Sequence, residues 1–278
     1  MGLARSGRAL ASALLDRGVA VAAADDRPAA EFPDAAALAA RGASLHLGGQ
    51  REGFLDGAGW LALSPGVPPT HAAVVEAKRR GLPVYAEIEI AWRLAEAQTR
   101  GNRWVAVTGT NGKSTTTSWI ADMLRRAGRP VALAGNIGVP LSDFLAERTP
   151  RDFVCEVSSF QLESIERFRA DVAVLTNVTP DHLDRYADMD AYAAAKARVF
   201  ENQRAEDAAV VNADDPGSRG MSPRARRVSF SRRGVPSGGA GLEGGRVVSE
   251  ASGSRRDYGP AEAVSLPGAH NLENALAA

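Results

Sequence analysis

The chain has 278 residues, 33 basic and 33 acidic side chains, and a formal net charge of zero at pH 7. That balance gives no electrostatic case for nucleic acid or an anionic membrane surface as a partner, and no apolar run approaches the ~18 residues of a membrane-spanning helix. A hydrophobic content of 45% supplies cores for about two domains, and the one cysteine, Cys155, excludes an intrachain disulfide and fits a reducing, cytoplasmic setting.

In chain order, Gly2-Leu3-Ala4-Arg5-Ser6-Gly7 leads into a helix over 8–17, closed by Gly18. A strand over 19–24 ends at Asp25-Asp26, and a helix over 35–40 ends at Arg41-Gly42. A short strand, 61–63, runs into Ser64-Pro65-Gly66. A helix over 71–80, a strand at 84–85 and a helix over 87–97 follow. Strands alternating with helices predict a parallel sheet with helices on its faces. Ligands of such sheets bind at the carboxyl ends of the strands, which points to 2–7, Asp25-Asp26 and 64–66. The glycine turn at 2–7 has no strand before it, so a first strand is expected to be missing. The polar stretch 98–103 reads as a domain boundary.

The second domain opens with the most specific motif. An apolar run, 104–107, stops at Thr108, and Gly109-Thr110-Asn111-Gly112-Lys113-Ser114-Thr115 leads into a helix over 114–127. A strand, a glycine turn and a helix N-terminus gather backbone N–H groups and a lysine around one point, which suits phosphate. Ser114 stands where a hydroxyl reaches the magnesium of a nucleoside triphosphate. Val107 occupies the position where the common phosphate loop has its first glycine, so this is a variant of that loop. Strands over 131–134, 153–157, 172–177 and 208–212 each end in polar or glycine residues, and a helix over 190–202 separates the last two. Residues 216–260 are rich in Gly, Ser and Arg and read as an irregular hairpin excursion with strand-like runs at 227–231 and 245–249. The chain ends in a loop and the first turns of a helix.

Five residues carry candidate chemistry. Glu156 ends an otherwise apolar strand and reads either as a magnesium ligand beside the phosphate loop or as an edge-strand carboxylate. His182 follows a strand directly, between Asp181 and Asp184, where it serves a site or merely packs. Lys196 is one of only three lysines among the 33 basic residues. It reads as a helix-surface charge or as a buried amine able to shed its proton and add carbon dioxide. Asn136, in G-N-I-G, is a turn residue or a substrate donor. Asn271 is a helix cap or a contact to a nucleotide base.

The segments G-T-N-G-K-S-T-T, G-N-I-G, E-V-S-S-F-Q-L-E, T-N-V-T-P-D-H-L-D-R-Y, A-A-K-A-R-V-F-E-N, V-N-A-D-D and L-P-G-A-H-N-L-E-N-A-L-A-A together resemble the Mur ligases of peptidoglycan synthesis. The S-S-F-Q-L-E segment is most similar to the D-glutamate-adding branch. The resemblance covers nearly the whole chain and implies an α/β protein: an N-terminal Rossmann-like domain over 1–98 for a UDP-sugar, then a P-loop-type ATPase domain over 99–278. It also implies that a third domain, which brings the amino acid, is absent, that the isolated chain is inactive in ligation, and that the protein is a cytoplasmic monomer. By the same resemblance, residues 109–115 and Asn271 hold ATP, and Ser114, Glu156, His182 and Lys196 (as a carbamate) hold Mg2+. Lys113, His182 and Lys196 serve catalysis. Asp25, Asp26, Ser64, Gly66, Asn136, Ser158 and Gln161 contact UDP-N-acetylmuramoyl-L-alanine, to which D-glutamate is joined. The alternatives are another Mur ligase, a folylpolyglutamate synthetase-like ligase, or a P-loop nucleotide-binding protein that ligates nothing.

Overall fold

The computed structural model describes residues 1–49 and 52–278. Two units emerge, one of residues 1–100, 139–149 and 163–168, the other of 101–138, 150–162 and 169–278.

In the first unit, apolar residues recur along Arg5–Leu15 (α1) at 10, 11 and 14, one face of a helix, and these are buried. β1 (Ala22–Asp25), α2 (Ala35–Ala40), β2 (Ser44–Leu47), β3 (Leu61–Leu63), α3 (Ala72–Arg79), β4 (Val84–Ala86) and α4 (Glu87–Gln98) follow. The strands form two separate parallel pairs, β1–β2 and β3–β4. Residues 1–3 run between them. The Met1 amine donates to Ala62 O at 2.7 Å, Gly2 N to Ala24 O at 2.8 Å, and Ser64 N to Met1 O at 3.0 Å. Burial pushes that amine down to about 5, against the pull of Asp25. A cavity of about 540 Å³ adjoins these residues, lined by Leu10, Val21, Ala23, Trp60 and Leu61 among others. The strand expected over 19–24 is shorter and later, because Val19 and Ala20 are exposed. β2 was not expected. Its four residues, S-L-H-L, alternate polar and apolar, but the run is short and only partly buried.

The second unit is one nine-stranded sheet. β5 (Arg103–Thr108) lies between β7 (Asp152–Glu156) and β8 (Val172–Leu175), with β6 (Val131–Gly135) at one edge. Beyond β8 come β9 (Ala208–Asn212), β10 (Arg226–Ser231), β11 (Ala240–Glu243), β12 (Arg246–Ser249) and β13 (Arg256–Pro260). The strands from β6 to β11 are parallel, and β12 and β13 are antiparallel. A parallel sheet needs both faces covered, and β7 is buried along its whole length. α5 (Lys113–Arg126) and α9 (Ala269–Ala277) supply Ile120, Ala121, Leu276 and Ala277 to a core with Val107, Val154, Val174 and Phe230. α6 (Ser159–Leu162), α7 (Met189–Ala197) and α8 (Pro216–Arg219) complete the unit.

Two expectations need correction here. Residues 226–231 do not belong to an irregular hairpin. They pair in parallel with β9 and extend the main sheet, because Val228 and Phe230 alternate inward. The hairpin is β11–β12, turned at Gly244-Gly245. The helix expected over 190–202 ends earlier, passing at Arg198 into a 3-10 turn over Arg198–Phe200. Among the described residues, no helix is long and apolar enough to cross a membrane.

Candidate functional site

The phosphate-loop geometry follows from two glycines. Gly109 has φ +145° and Gly112 φ +83°, conformations that L side chains rarely adopt. A Cβ at Gly109 would stand 1.9 Å from Thr176 Oγ1, and one at Gly112 would stand 2.0 Å from Asn274 Oδ1. The loop can therefore lie against β8 and α9 only with glycine at both positions. The segment after β8 fixes the other side. Thr110 N donates to Asn177 O at 3.0 Å, Asn111 N to Asn177 Oδ1 at 2.9 Å, and Thr176 Oγ1 to Asn111 O at 2.6 Å. Gly112 caps α5, so Lys113, Ser114 and Thr115 form its first turn, where unpaired N–H groups and the helix dipole favour an anion. These features fit a nucleotide phosphate chain, the role expected for 109–115.

Lys113 Nζ donates to Gly109 O at 3.1 Å and Thr110 O at 2.8 Å. Burial lowers its pKa, while Glu156 and Asp181 raise it. One turn further on, Ser114 Oγ donates to Glu156 Oε2 at 2.7 Å. Asn136 Nδ2 donates to Glu156 Oε1, also at 2.7 Å. Glu156 is 1% exposed, and among the described residues no basic side chain ion-pairs with it. A buried carboxylate with a hydroxyl at its side is the oxygen donor set a hard divalent cation takes up, so Ser114 and Glu156 fit magnesium. Among the described residues, no three His, Cys, Asp or Glu side chains gather as a protein-only metal cage.

Lys196 resolves one open alternative. It is a buried amine, 2% exposed, and its Nζ donates to Gly109 O at 2.7 Å. It stands 4.4 Å from the centre of the Tyr192 ring. Burial, reinforced by the charge of Lys113 and opposed by Asp181, pushes its pKa down to about 7. Lys113 and Lys196 thus share one backbone acceptor, and at neutral pH a substantial fraction of Lys196 is uncharged. His182 follows β8 in a left-handed conformation, φ +52°. Its ring lies 3.6 Å from Asp181, 4.9 Å from the Phe160 ring centre and 6.0 Å from that of Tyr192. Tyr192 stands between it and Lys196, and among the described residues no bond links it to Glu156 or Ser114. Ser158 and Gln161 bond each other, with Ser158 N and Oγ both donating to Gln161 Oε1. Asn271 is not the cap of α9, which is Gly268; its side chain donates to Pro267 O, and Asn274 beside it reaches the loop at Gly112.

Sequence reasoning missed Thr176, Asn177, Tyr192 and Asn274. The first two stand directly after a strand, the usual place for a loop partner, and offered a signal. Tyr192 lies one turn before Lys196 and offered one too. In the first unit, Asp25 accepts from Leu3 N at 2.7 Å and from Arg27, and Asp26 meets His71 Nε2 at 3.0 Å. Ser64 Oγ donates to Gly2 O at 2.8 Å, so these residues and the 64–66 turn lie around one strand-end rim, with Gly66 itself in open space.

Residues 107–278 match the Mur ligase middle domain, and residues 1–86 match the Mur ligase MurD-like N-terminal domain. The UDP-N-acetylmuramoylalanine–D-glutamate ligase of Pelotomaculum thermopropionicum is 43% identical over 285 residues, spanning all of this chain and 61% of that protein. The ligase of the same name from Salinibacter ruber is 43% identical over 291 residues, again with all of this chain and 62% of that protein. The chain thus spans about three fifths of the length of the curated relatives it matches. Among solved structures, the UDP-N-acetylmuramate:L-alanyl-gamma-D-glutamyl-meso-diaminopimelate ligase of Neisseria meningitides superposes with a TM-score of 0.60 at 22% identity, covering 99% of this chain and 89% of that one. MurF of Thermotoga maritima, solved with ADP, gives a TM-score of 0.51 at 21% identity over 73% of this chain and 54% of that one. At those identities the structures speak for the fold alone. Fold, phosphate loop and two domain matches agree, and the chain belongs to the Mur ligase family, whose members are ATP-dependent ligases.

Proposed function

We propose that this chain carries the sugar-nucleotide and ATP sites of a cytoplasmic ligase that joins D-glutamate to UDP-N-acetylmuramoyl-L-alanine. The observation that carries the reading is the convergence of Lys113, Lys196, Ser114 and Glu156 around one glycine loop. The relatives named for that reaction add to it.

The chemistry required is amide formation from a carboxylate. The L-alanyl carboxylate attacks the γ-phosphorus of ATP; the bond to the bridging oxygen breaks, and ADP leaves. The amine of D-glutamate then attacks the acyl carbon, the C–O bond to phosphate breaks, and the amine gives up its proton. Mg2+ bound by Ser114 and Glu156 would offset the repulsion between carboxylate and triphosphate. Lys113 reaches the phosphates from the first turn of α5 and neutralises charge on the transferred group. Lys196 in its neutral form has a free lone pair; adding to carbon dioxide it yields a carbamate and a proton, which replaces a cation beside Lys113 with an anion. Asn136, Ser158 and Gln161 lie at the tips of β6 and β7 on the side where the muramoyl end would lie, with His182 at the end of β8. Asp25, Asp26, Ser64 and Gly66 would receive the uridine nucleotide, and Asn271 the adenine.

Calorimetric titration with ATP and Mg2+, and separately with UDP-N-acetylmuramoyl-L-alanine, tests this. Binding of both is the expected result. Binding of dihydropteroate in place of the muramoyl nucleotide would move the assignment to a folate ligase. Binding of ATP alone would leave a nucleotide-binding protein of another kind.

A further inference from the structure

Two short segments, 139–149 and 163–168, leave the second unit's sequence and fold with the first unit. Each begins two or three residues after a candidate substrate residue. Val139 follows Asn136-Ile137-Gly138, and Glu163 follows Ser158–Leu162. Both are held by the first turn of α4 through carboxylates, in addition to the apolar packing of Leu141, Leu145 and Phe168, the last edge-on to Trp92 of the same helix. Glu87 and Glu89 are two positions apart, so they leave the helix on different sides. Glu87 is 2% exposed and accepts from Ser142 N at 2.9 Å and from Ser142 Oγ. Glu89 is fully buried and accepts three successive backbone N–H groups, from Glu166 at 3.0 Å, Arg167 at 3.0 Å and Phe168 at 2.8 Å. Arg93 Nε donates to Glu89 at 2.6 Å, and its other arm and Tyr85 Oη both donate to Glu166.

Burying two carboxylates costs several kcal/mol unless each is fully hydrogen-bonded, and ordinary packing would tether a loop without that cost. What a carboxylate adds is direction: three converging N–H donors place a loop to within a hydrogen bond's tolerance. Burial pushes the Glu87 carboxyl up from the usual range, against the pull of the Ser142 donors, so an amide oxygen can take its place there.

We propose that Glu87 and Glu89 are positioning residues, holding through segments 139–149 and 163–168 the candidate substrate residues Asn136, Ser158 and Gln161. The proposal rests on the sugar-nucleotide reading for what those residues contact.

Hydrogen–deuterium exchange and calorimetry on the same variants test it. Glu89→Ala raises exchange at 158–162 about tenfold and leaves 109–117 protected. It weakens UDP-N-acetylmuramoyl-L-alanine about tenfold and leaves ATP affinity within about twofold. Glu87→Ala does the same at 136–138, and Glu87→Gln restores protection and affinity. If Glu89→Ala does not fold, Glu89→Gln, of equal volume with one acceptor oxygen, replaces it. Faster exchange confined to the two segments, or equal loss of both ligands, overturns the positioning role. Coupled exchange without any binding of the sugar nucleotide by the unaltered chain would sustain the positioning role and sink the substrate reading.

Discussion

The two units treat charge differently. In the second, Glu156 and Lys196 are almost wholly buried, and among the described residues neither has an oppositely charged side chain in contact. In the first, Asp25 is buried with Arg27 folded over it, and Glu89 is buried against Arg93. A charge already matched inside the fold serves recognition or architecture. A desolvated charge left without a counter-ion is completed by something that binds, or it changes its proton occupancy. Glu87 of the first unit also lacks a cation, but its carboxylate is taken up by Ser142, so it is Glu156 and Lys196, gathered at one glycine loop, that single out the second unit as the place of chemistry.

The harshest way to break that contrast is to fill a glycine. Gly109→Ala puts a Cβ 1.9 Å from Thr176 Oγ1 and 3.2 Å from Asn177 N, at φ +145°. The clash with a packed strand end and the backbone strain together cost about 3 kcal/mol or more, read as a drop in the thermal midpoint. Gly66→Ala, at the corresponding strand end of the first unit, meets nothing within 4 Å. That substitution changes stability by about 0.5 kcal/mol or less. Equal effects at both positions would show that the phosphate loop is not held as tightly as its contacts indicate.

Next in size is the loop lysine. Lys113→Ala removes the one long cation of the loop and lowers ATP affinity about a hundredfold, the loss of charge-assisted bonds of about 1.5–3 kcal/mol. Affinity for the sugar nucleotide, for which none of the proposed contacts is Lys113, stays within about twofold in the same titrations.

Lys196 sharpens the comparison through pH. Its folded-state pKa of about 7 lies below the ordinary 10.5, so the folded chain binds fewer protons than the unfolded chain between those values. Stability therefore rises with pH across that window, and the penalty for charging Lys196 is complete below about 7. Lys196→Met, which keeps the bulk and drops the amine, stabilises the fold by a few kcal/mol near pH 6. The gain shrinks toward pH 10. Denaturant titrations at both pH values read it, and a gain of the same size at both would contradict a discharged amine.

How much of this was legible in the sequence follows the same divide. β5, the glycine loop and α5 could be read because hydrophobic run, glycines and helix onset are local. Lys196 stood out by lysine scarcity, yet its burial beside Tyr192 is completed by the Gly109 carbonyl, a contact that spans 87 positions. Glu87 and Glu89 looked like the ordinary acidic first turn of a helix. Their partners lie between 55 and 79 residues away, and nothing local marks a glutamate that caps a distant loop. β10 reads as part of a hairpin because its parallel partner, β9, lies across a polar turn, and pairing is not written in a strand's own pattern. The rim was legible wherever a strand ended in a glycine or a polar residue. The tethers beneath it were not.

The smallest effect expected belongs to the first unit's matched charge. Burial alone would raise the Asp25 carboxyl, but the Arg27 guanidinium and the N–H groups of Leu3 and Arg27 outweigh it and hold the pKa at about 2, below the model-peptide 3.8. The folded-state value is the lower one, so the contribution is present above 3.8 and lost as pH falls through about 2. Asp25→Asn keeps an acceptor for Leu3 N and loses the ion pair. It costs about 1 kcal/mol at pH 7, since Arg27 is half exposed and its charge is screened. The cost fades at pH 2.5, where the wild-type carboxyl begins to take up its proton. If the substitution instead cost as much at pH 2.5 as at pH 7, Asp25 would be acting through shape and not through charge, and the first unit would lose its claim to a matched pair.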